Sequence, residues 1–188
     1  LDRYLQAIGG TQRLAGLTSI TATGTSVGFG GFGGGGAVQF YAKAPDQRTT
    51  IIEFKDAPGR DASTRAFDGK TGWIKTPLTV LGEYQLSGNE LDGAKLDAQL
   101  TFPGQIKQVL TNLRTLQPAT IDDKACDTVQ GTGPGRVFVT MYFDQQTGYL
   151  VRSVRYTASP IGRMPTQVDY ADYRDVDGVK IPFKYTFA

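Results

Sequence analysis

Val179-Lys180-Ile181-Pro182-Phe183-Lys184-Tyr185-Thr186-Phe187 alternates along its whole length, with Val179, Ile181, Phe183, Tyr185 and Phe187 on one side and Lys180, Lys184 and Thr186 on the other. A period of two belongs to a strand that buries one face. The Asp177-Gly178 pair just before it is turn chemistry, and residues 167–173 before that read as a second strand. The chain therefore closes on an antiparallel hairpin. Further back, residues 149–156 and 137–143 are two more strands, set off by turns at residues 144–148 and at Ser159-Pro160. In residues 137–143, Val139 and Met141 share one side while Phe138 and Tyr142 share the other, which predicts a strand covered on both faces.

The first half repeats this design. Residues 19–27 are Thr-rich and β-branched. Val38 and Phe40 alternate with Gln39, Tyr41 and Lys43, and Thr50, Ile52 and Phe54 alternate with Ile51, Glu53 and Lys55, with Pro45-Asp46 marking the turn between them. Asp68-Gly69 predicts a hairpin joining a strand that ends at Phe67 to one that carries Trp73. Helical spacing appears twice. Residues 1–17 hold Leu5, Ile8, Leu14 and Leu17, broken by Gly9-Gly10, with Thr11 placed to cap the second half. Over residues 87–116, Ile106, Val109, Leu110 and Leu113 form one apolar stripe on a helix begun by Pro103, and Leu91, Leu96 and Leu100 form a weaker one. The expected fold is mainly β with short helices, about ten antiparallel strands in one domain over residues 1–188.

Composition narrows the chemistry. The 188 residues are 39% apolar and 11% aromatic, enough for one domain to bury a core. A net charge of +2 gives no nucleic-acid footprint. With no histidine, no Ser-His or Cys-His pair and no His metal ligand can form. The single Cys126 rules out an internal disulfide, a zinc CxxC and a haem-attaching CxxCH. No run of 18 apolar residues is present to predict a transmembrane helix. The opening at Leu1, inside a helical pattern and without a start Met, reads as a processed or excised piece of something longer.

Three stretches carry a resemblance. Tyr4-Leu5-Gln6-Ala7-Ile8-Gly9-Gly10-Thr11 with Leu14-Ala15-Gly16-Leu17, then Phe67-Asp68-Gly69-Lys70-Thr71-Gly72-Trp73, then residues 170–183 (YADYRDVDGVKIPF) resemble, in order, segments of periplasmic domains related to the outer-membrane lipoprotein carrier LolA. The resemblance implies an unclosed antiparallel half-barrel with helices across its concave face as a lid. It also implies a periplasmic or cell-envelope location, an apolar ligand such as an acyl chain, and occurrence of some relatives as domains of larger exported proteins, including c-type cytochromes. One departure stands out. The carrier has a basic residue directly before the proline of its second hairpin, used in holding the lid. Here that position is Ala44, before Pro45, with Arg48 three residues past the proline, so lipoprotein trafficking does not come with the resemblance.

Other motifs have plainer readings. Residues 28–33 match GxGxxG, but a strand follows where a dinucleotide site needs a helix. A long hairpin loop is the simple reading, and a tip presenting Phe29 and Phe32 to lipid or a partner protein is the sharper one. Asp175-Val176-Asp177-Gly178 starts like a calcium loop but lacks the closing Glu, which leaves a tight turn. Glu53, Asp56, Asp61, Asp68, Glu83 and Glu90 fall at turns or outward strand positions rather than as a glycosidase pair. Cys126 reads as a buried, inert thiol, or else as a bridge to another chain or a modified group.

These residues predict a non-catalytic exported domain, without a cofactor or metal, binding a lipid, acyl chain or other apolar ligand. Phe40, Ile52, Phe54, Trp73, Val139 and Met141 would line the sheet side, and Leu96, Leu100, Ile106 and Leu110 the lid, which spans about residues 88–113. The alternative is a structural docking domain in a larger exported assembly, such as a c-type cytochrome or electron-transfer complex. A hydrolase has no nucleophile and base pair here.

Overall fold

The computed structural model describes residues 1–28, 35–54, 62–77, 80–159 and 162–188. Two contact units emerge, Leu17–Phe102 and Leu1–Gly16 with Pro103–Ala188. Each carries one six-stranded antiparallel sheet, neither closed into a barrel, so the fold is α+β and mainly strands.

In the first unit the strands β1 (Ser19–Ser26), β2 (Gly36–Lys43), β3 (Gln47–Ile52), β4 (Ser63–Phe67), β5 (Gly72–Lys75) and β6 (Glu83–Gln85) lie in chain order. Register sets the faces. Ile20 opposes Ala42, Ala42 opposes Arg48, and Arg48 opposes Phe67, while Val38 opposes Ile52 and Phe40 opposes Thr50. These side chains share one face. Helix α3 (Gly88–Leu100) packs over the β4–β6 end of it, where Phe67, Leu86, Ala94 and Ala98 form a core with Ile74, Tyr84 and Leu91 around them. Gly72 allows that approach, since a Cβ there would meet Leu86 at 3.0 Å and Leu91 at 3.3 Å.

The β4–β5 turn is tied by Asp68. Its Oδ1 accepts the backbone N–H groups of Lys70 at 2.8 Å and Thr71 at 2.6 Å, and its Oδ2 accepts the Thr71 hydroxyl at 2.8 Å. The Thr71 and Lys70 N–H bonds hold the carboxyl below its ordinary value of 3.8. A lowered folded pKa means that the turn's contribution is complete above pH 3.8 and lost as pH falls through the lower folded value. An Asp68→Ala chain is expected to lose this acid-limb dependence in urea titrations run at a series of pH values. Parallel pH curves for the two chains would refute it.

In the second unit β7 (Thr111–Ile121), β8 (Lys124–Thr132), β9 (Phe138–Asp144), β10 (Leu150–Ser159), β11 (Gly162–Val176) and β12 (Val179–Phe187) again follow chain order, with β7 and β12 at the edges. Helices α1 (Asp2–Ala7), α2 (Thr11–Gly16) and α4 (Ile106–Val109) accompany them. The Tyr4 ring of α1 lies 5.1 Å from Phe143 of β9. Leu110, just past α4, sits on Gly131 of β8, where a Cβ would approach it to 3.1 Å. Since Gly131 opposes Val139, both helices cover the face that carries Val139, Met141 and Phe143. Around Met141, β9 is withdrawn on both sides: Val139, Met141 and Phe143 are buried on one, Thr140 and Asp144 on the other.

The chain start is pinned to the last hairpin. Helix α1 ends with Gly10 N–H on the Leu5 carbonyl and Gly9 N–H on the Gln6 carbonyl, a Schellman arrangement. Ile8 accepts a bond from Lys180 N–H at 2.9 Å, and Arg13 donates to the Gly178 carbonyl at 3.3 Å. Thr11 is the first residue of α2 rather than its cap, because Leu14 N–H bonds back to Gly10.

Among the described residues twelve strands stand where about ten are expected, and the difference lies in the middle. The helical stripe ends early: α4 stops at Val109, Leu110 is extended (φ −96°, ψ 128°) and Leu113 belongs to β7. Pro118 hides β7 in the sequence, yet this is an edge strand whose register shifts between Leu116 and Ala119, a place that tolerates proline. The lid expected over residues 88–113 is thus two separate helices, α3 in one unit and α4 in the other.

Candidate functional site

The residues expected to line one site fall in both units. In Leu17–Phe102, Phe40 and Ile52 share the α3-covered face, together with Ile20 and Val38, and stand half-buried towards the β1–β3 side. Phe54, just past β3, is half-buried as well. Arg48 borders this row. Its guanidinium lies 5.1 Å over the Phe40 ring and donates to the Asp97 carbonyl in the last turn of α3 at 3.2 Å. Arg48 therefore ties helix to sheet, from a position past the β2–β3 turn rather than at Ala44.

Trp73 is a correction. It opposes Ala66 and Gln85, which places it on the reverse face from Phe40 and Ile52. There it is 37% exposed and borders a shallow groove of about 580 Å³ with Thr71, Glu83, Tyr84 and Gln85. Leu96 and Leu100 also part from the sheet. At about 100° per residue they lie roughly 120–160° around α3 from Ala94 and Ala98, which pack on the strands. Leu96 is fully buried and Leu100 half-buried.

In the other unit Ile106, Leu110, Val139 and Met141 are brought into one buried region beneath the helices, each 3% exposed or less. They are core. The same sheet face continues past them: Val139 opposes Arg155, Met141 opposes Ser153, Ser153 opposes Val168, Val168 opposes Phe187, and Thr157 opposes Met164. Here the cover runs out. Met164 is 50% exposed, Phe183 51%, Tyr185 48% and Phe187 65%. The only sequence signal for this region was the alternation of residues 179–187. The face of Arg155 and Ser153 cannot be read from their own strand, because it is fixed by pairing with β9.

The remaining candidates are structural where they are described. Asp175 accepts Gly178 N–H at 2.9 Å and pairs with Lys180 at 3.2 Å, which makes it a turn tie. Glu53 is exposed and accepts a bond from Gln39, and Glu83 and Glu90 are exposed. Cys126 is buried, its Sγ 3.4 Å from the Lys124 carbonyl, and burial pushes the thiol up. Phe29, Phe32, Asp56 and Asp61 lie outside the described residues. Among the described residues no group of three or more His, Cys, Asp or Glu side chains converges as a metal site, and no helix is long and apolar enough to cross a membrane.

No family model matches the chain, and neither does any curated protein. Solved structures do. A LolA superfamily protein from Nitrosomonas europaea is similar at TM-score 0.51 and 14% identity, over 90% of this chain and 76% of that one. A DUF1329 family protein from Desulfovibrio piger is similar at TM-score 0.55 and 12% identity, over 95% and 82%. A domain named for outer-membrane lipoprotein sorting, from Vibrio parahaemolyticus, is similar at TM-score 0.53 and 9% identity, over 98% and 84%. Coverage this complete at such low identity is a likeness of architecture, and the chain has a LolA-like fold.

Proposed function

We propose that the chain is a non-catalytic, exported domain of the bacterial cell envelope that holds an acyl chain or a similar apolar ligand against an incompletely covered sheet face. The observation that carries this is the β9–β12 face, where Val139, Met141 and Phe143 are buried beneath helices while Met164, Phe183, Tyr185 and Phe187 are about half exposed or more. An open stretch bearing Met164, Phe183, Tyr185 and Phe187 is costly to leave in water and favourable to cover. Each CH₂ buried contributes about 0.8 kcal/mol, so about ten carbons supply roughly 8 kcal/mol before the costs of immobilisation. Phe40 and Ile52 offer a second half-buried row, on the sheet of the other unit. Hydrogen-bonding chemistry is not needed for such binding, which suits a chain without histidine. The likeness to a LolA superfamily protein and to a domain named for lipoprotein sorting supports both the ligand class and the envelope location.

Native mass spectrometry of the freshly purified chain, paired with lipid extraction, tests the reading. Bound species of lipid mass are expected, lost on extraction and regained with added dodecanol. A chain that emerges bare and takes up no dodecanol would leave the fold as a docking module and overturn the carrier reading.

A further inference from the structure

The sheet of the first unit has a polar face on the side away from α3. Pairing lays one register row across it: Thr21 on Tyr41, Tyr41 on Thr49, Thr49 on Ala66, Ala66 on Trp73 and Trp73 on Gln85. Two aromatic side chains stand out from this row, Tyr41 at 42% exposure and Trp73 at 37%. Strand spacings of about 4.8 Å put them roughly 14 Å apart, with only Thr49 and Ala66 between. Both are held in place. The Tyr41 hydroxyl donates to Gln39 Oε1 at 3.0 Å, and Trp73 follows Gly72, which packs against Leu86 and Leu91. Among the described residues neither ring meets another ring or a cation. Lys43, Lys75 and Glu83 are the charged side chains that the strands place on this face, and they stand at strand ends. The interior of the face is uncharged.

We propose that this face binds a neutral oligosaccharide of equatorially substituted pyranose rings, with one ring stacked on Trp73 and the chain running on towards Tyr41. Such a ring carries C–H groups on its two faces and hydroxyls around its rim. The faces are apolar and rest on an aromatic ring, while the rim needs donors and acceptors. Around Trp73 a groove of about 580 Å³ supplies them from Thr71, Glu83 and Gln85. The Thr71 hydroxyl gives its hydrogen to Asp68 Oδ2 and keeps lone pairs for a sugar hydroxyl. The exposed Gln85 amide has no side-chain partner among the described residues, so it offers both a donor and an acceptor. Other ligand classes suit the face less well. An acyl chain laid here would cover the Gln85 amide and the Thr49 hydroxyl without bonding them. An ion finds no net charge, since the interior is neutral and Lys75 opposes Glu83 at its margin. The sugar site is therefore separate from the acyl surface proposed on the other sheet, and neither assignment depends on the other.

Trp73 is the only tryptophan of the chain, so its fluorescence reports on the groove directly. Titrating the full chain with tri-N-acetylchitotriose and with cellotriose is expected to give a saturable change in emission with at least one of them, at millimolar concentration or below. Calorimetry then reads the variants. Trp73→Ala is expected to weaken the bound trisaccharide at least about tenfold, and Gln85→Ala severalfold. Tyr41→Ala is expected to weaken the trisaccharide severalfold while leaving the corresponding monosaccharide unchanged, because a single ring occupies only the Trp73 end. These side chains are all exposed, so the variants are expected to fold, and circular dichroism checks that they do. Absence of a saturable change with both trisaccharides overturns the proposal. Binding that survives Trp73→Ala and Gln85→Ala undiminished places the sugar elsewhere and overturns it as well. A Tyr41→Ala chain that binds the trisaccharide like wild type overturns the oligosaccharide assignment, since a site for one ring would then suffice.

Discussion

A Gly9→Ala chain is expected to be less stable than wild type by about 2–4 kcal/mol, the sum of backbone strain and a steric conflict. Gly9 has φ +138°, a region that L-residues almost never enter, and its occupation by alanine alone costs about 1–3 kcal/mol. A Cβ at Gly9 would also stand 2.7 Å from the Gly178 carbonyl oxygen. The chain cannot relieve this by retreating, because Ile8 is held by the Lys180 N–H and Gly178 by Arg13. For a chain of this size the loss corresponds to a fall of roughly 5–15 °C in Tm. Gly16→Ala is the control. Nothing lies within 4 Å of a Cβ there, the position is helical, and the change is expected to be neutral or to stabilise by up to about 1 kcal/mol. Thermal melts of the three chains decide it, and a Gly9→Ala chain that melts with wild type would refute the packing described.

This contact explains why two of the three stretches that carried the family resemblance are where they are. Gly9 and Gly178 belong to the first and the last of them, 169 residues apart in sequence and touching in space. The third, around Asp68, ties its own turn. All three are devices that fix the fold, which is why they could announce the architecture without announcing a ligand. The strands were legible because their period of two is a local property of the chain. Which side of a strand meets which helix is not local. The sequence groups Trp73 with Phe40, whereas pairing turns it to the reverse face, and it places Leu91, Leu96 and Leu100 on one stripe, whereas α3 presents Leu91 to the sheet and the other two elsewhere. Arg155 illustrates the same limit. Its own strand marks it as an ordinary exposed arginine, and only the register with Val139 brings it onto the apolar face. Pro118 misled in the opposite sense, concealing a strand whose edge position makes proline acceptable.

Met141→Ala separates core from ligand surface within the β9–β12 face. Met141 is 1% exposed, opposes Val129 and Ser153, and lies between Val139 and Phe143 beneath the helices. Truncation there removes packed atoms that neither water nor neighbours can replace, and a stability loss of about 2–4 kcal/mol is expected. Phe187 sits on the same face at 65% exposure, so Phe187→Ala is expected to change stability by less than about 0.5 kcal/mol. Ligand binding should show the reverse order. Phe187→Ala removes part of the surface proposed to cover an acyl chain and is expected to weaken dodecanol binding severalfold, since a phenyl group contributes about 1.5–3 kcal/mol when fully covered. Chemical denaturation of the stripped chains gives the first comparison and calorimetry the second. A Met141→Ala chain of wild-type stability that accepts longer alcohols would mean that the space beneath the helices is an open pocket. The boundary between core and binding surface would then have to move inward from Phe187 and Met164 to Met141 itself.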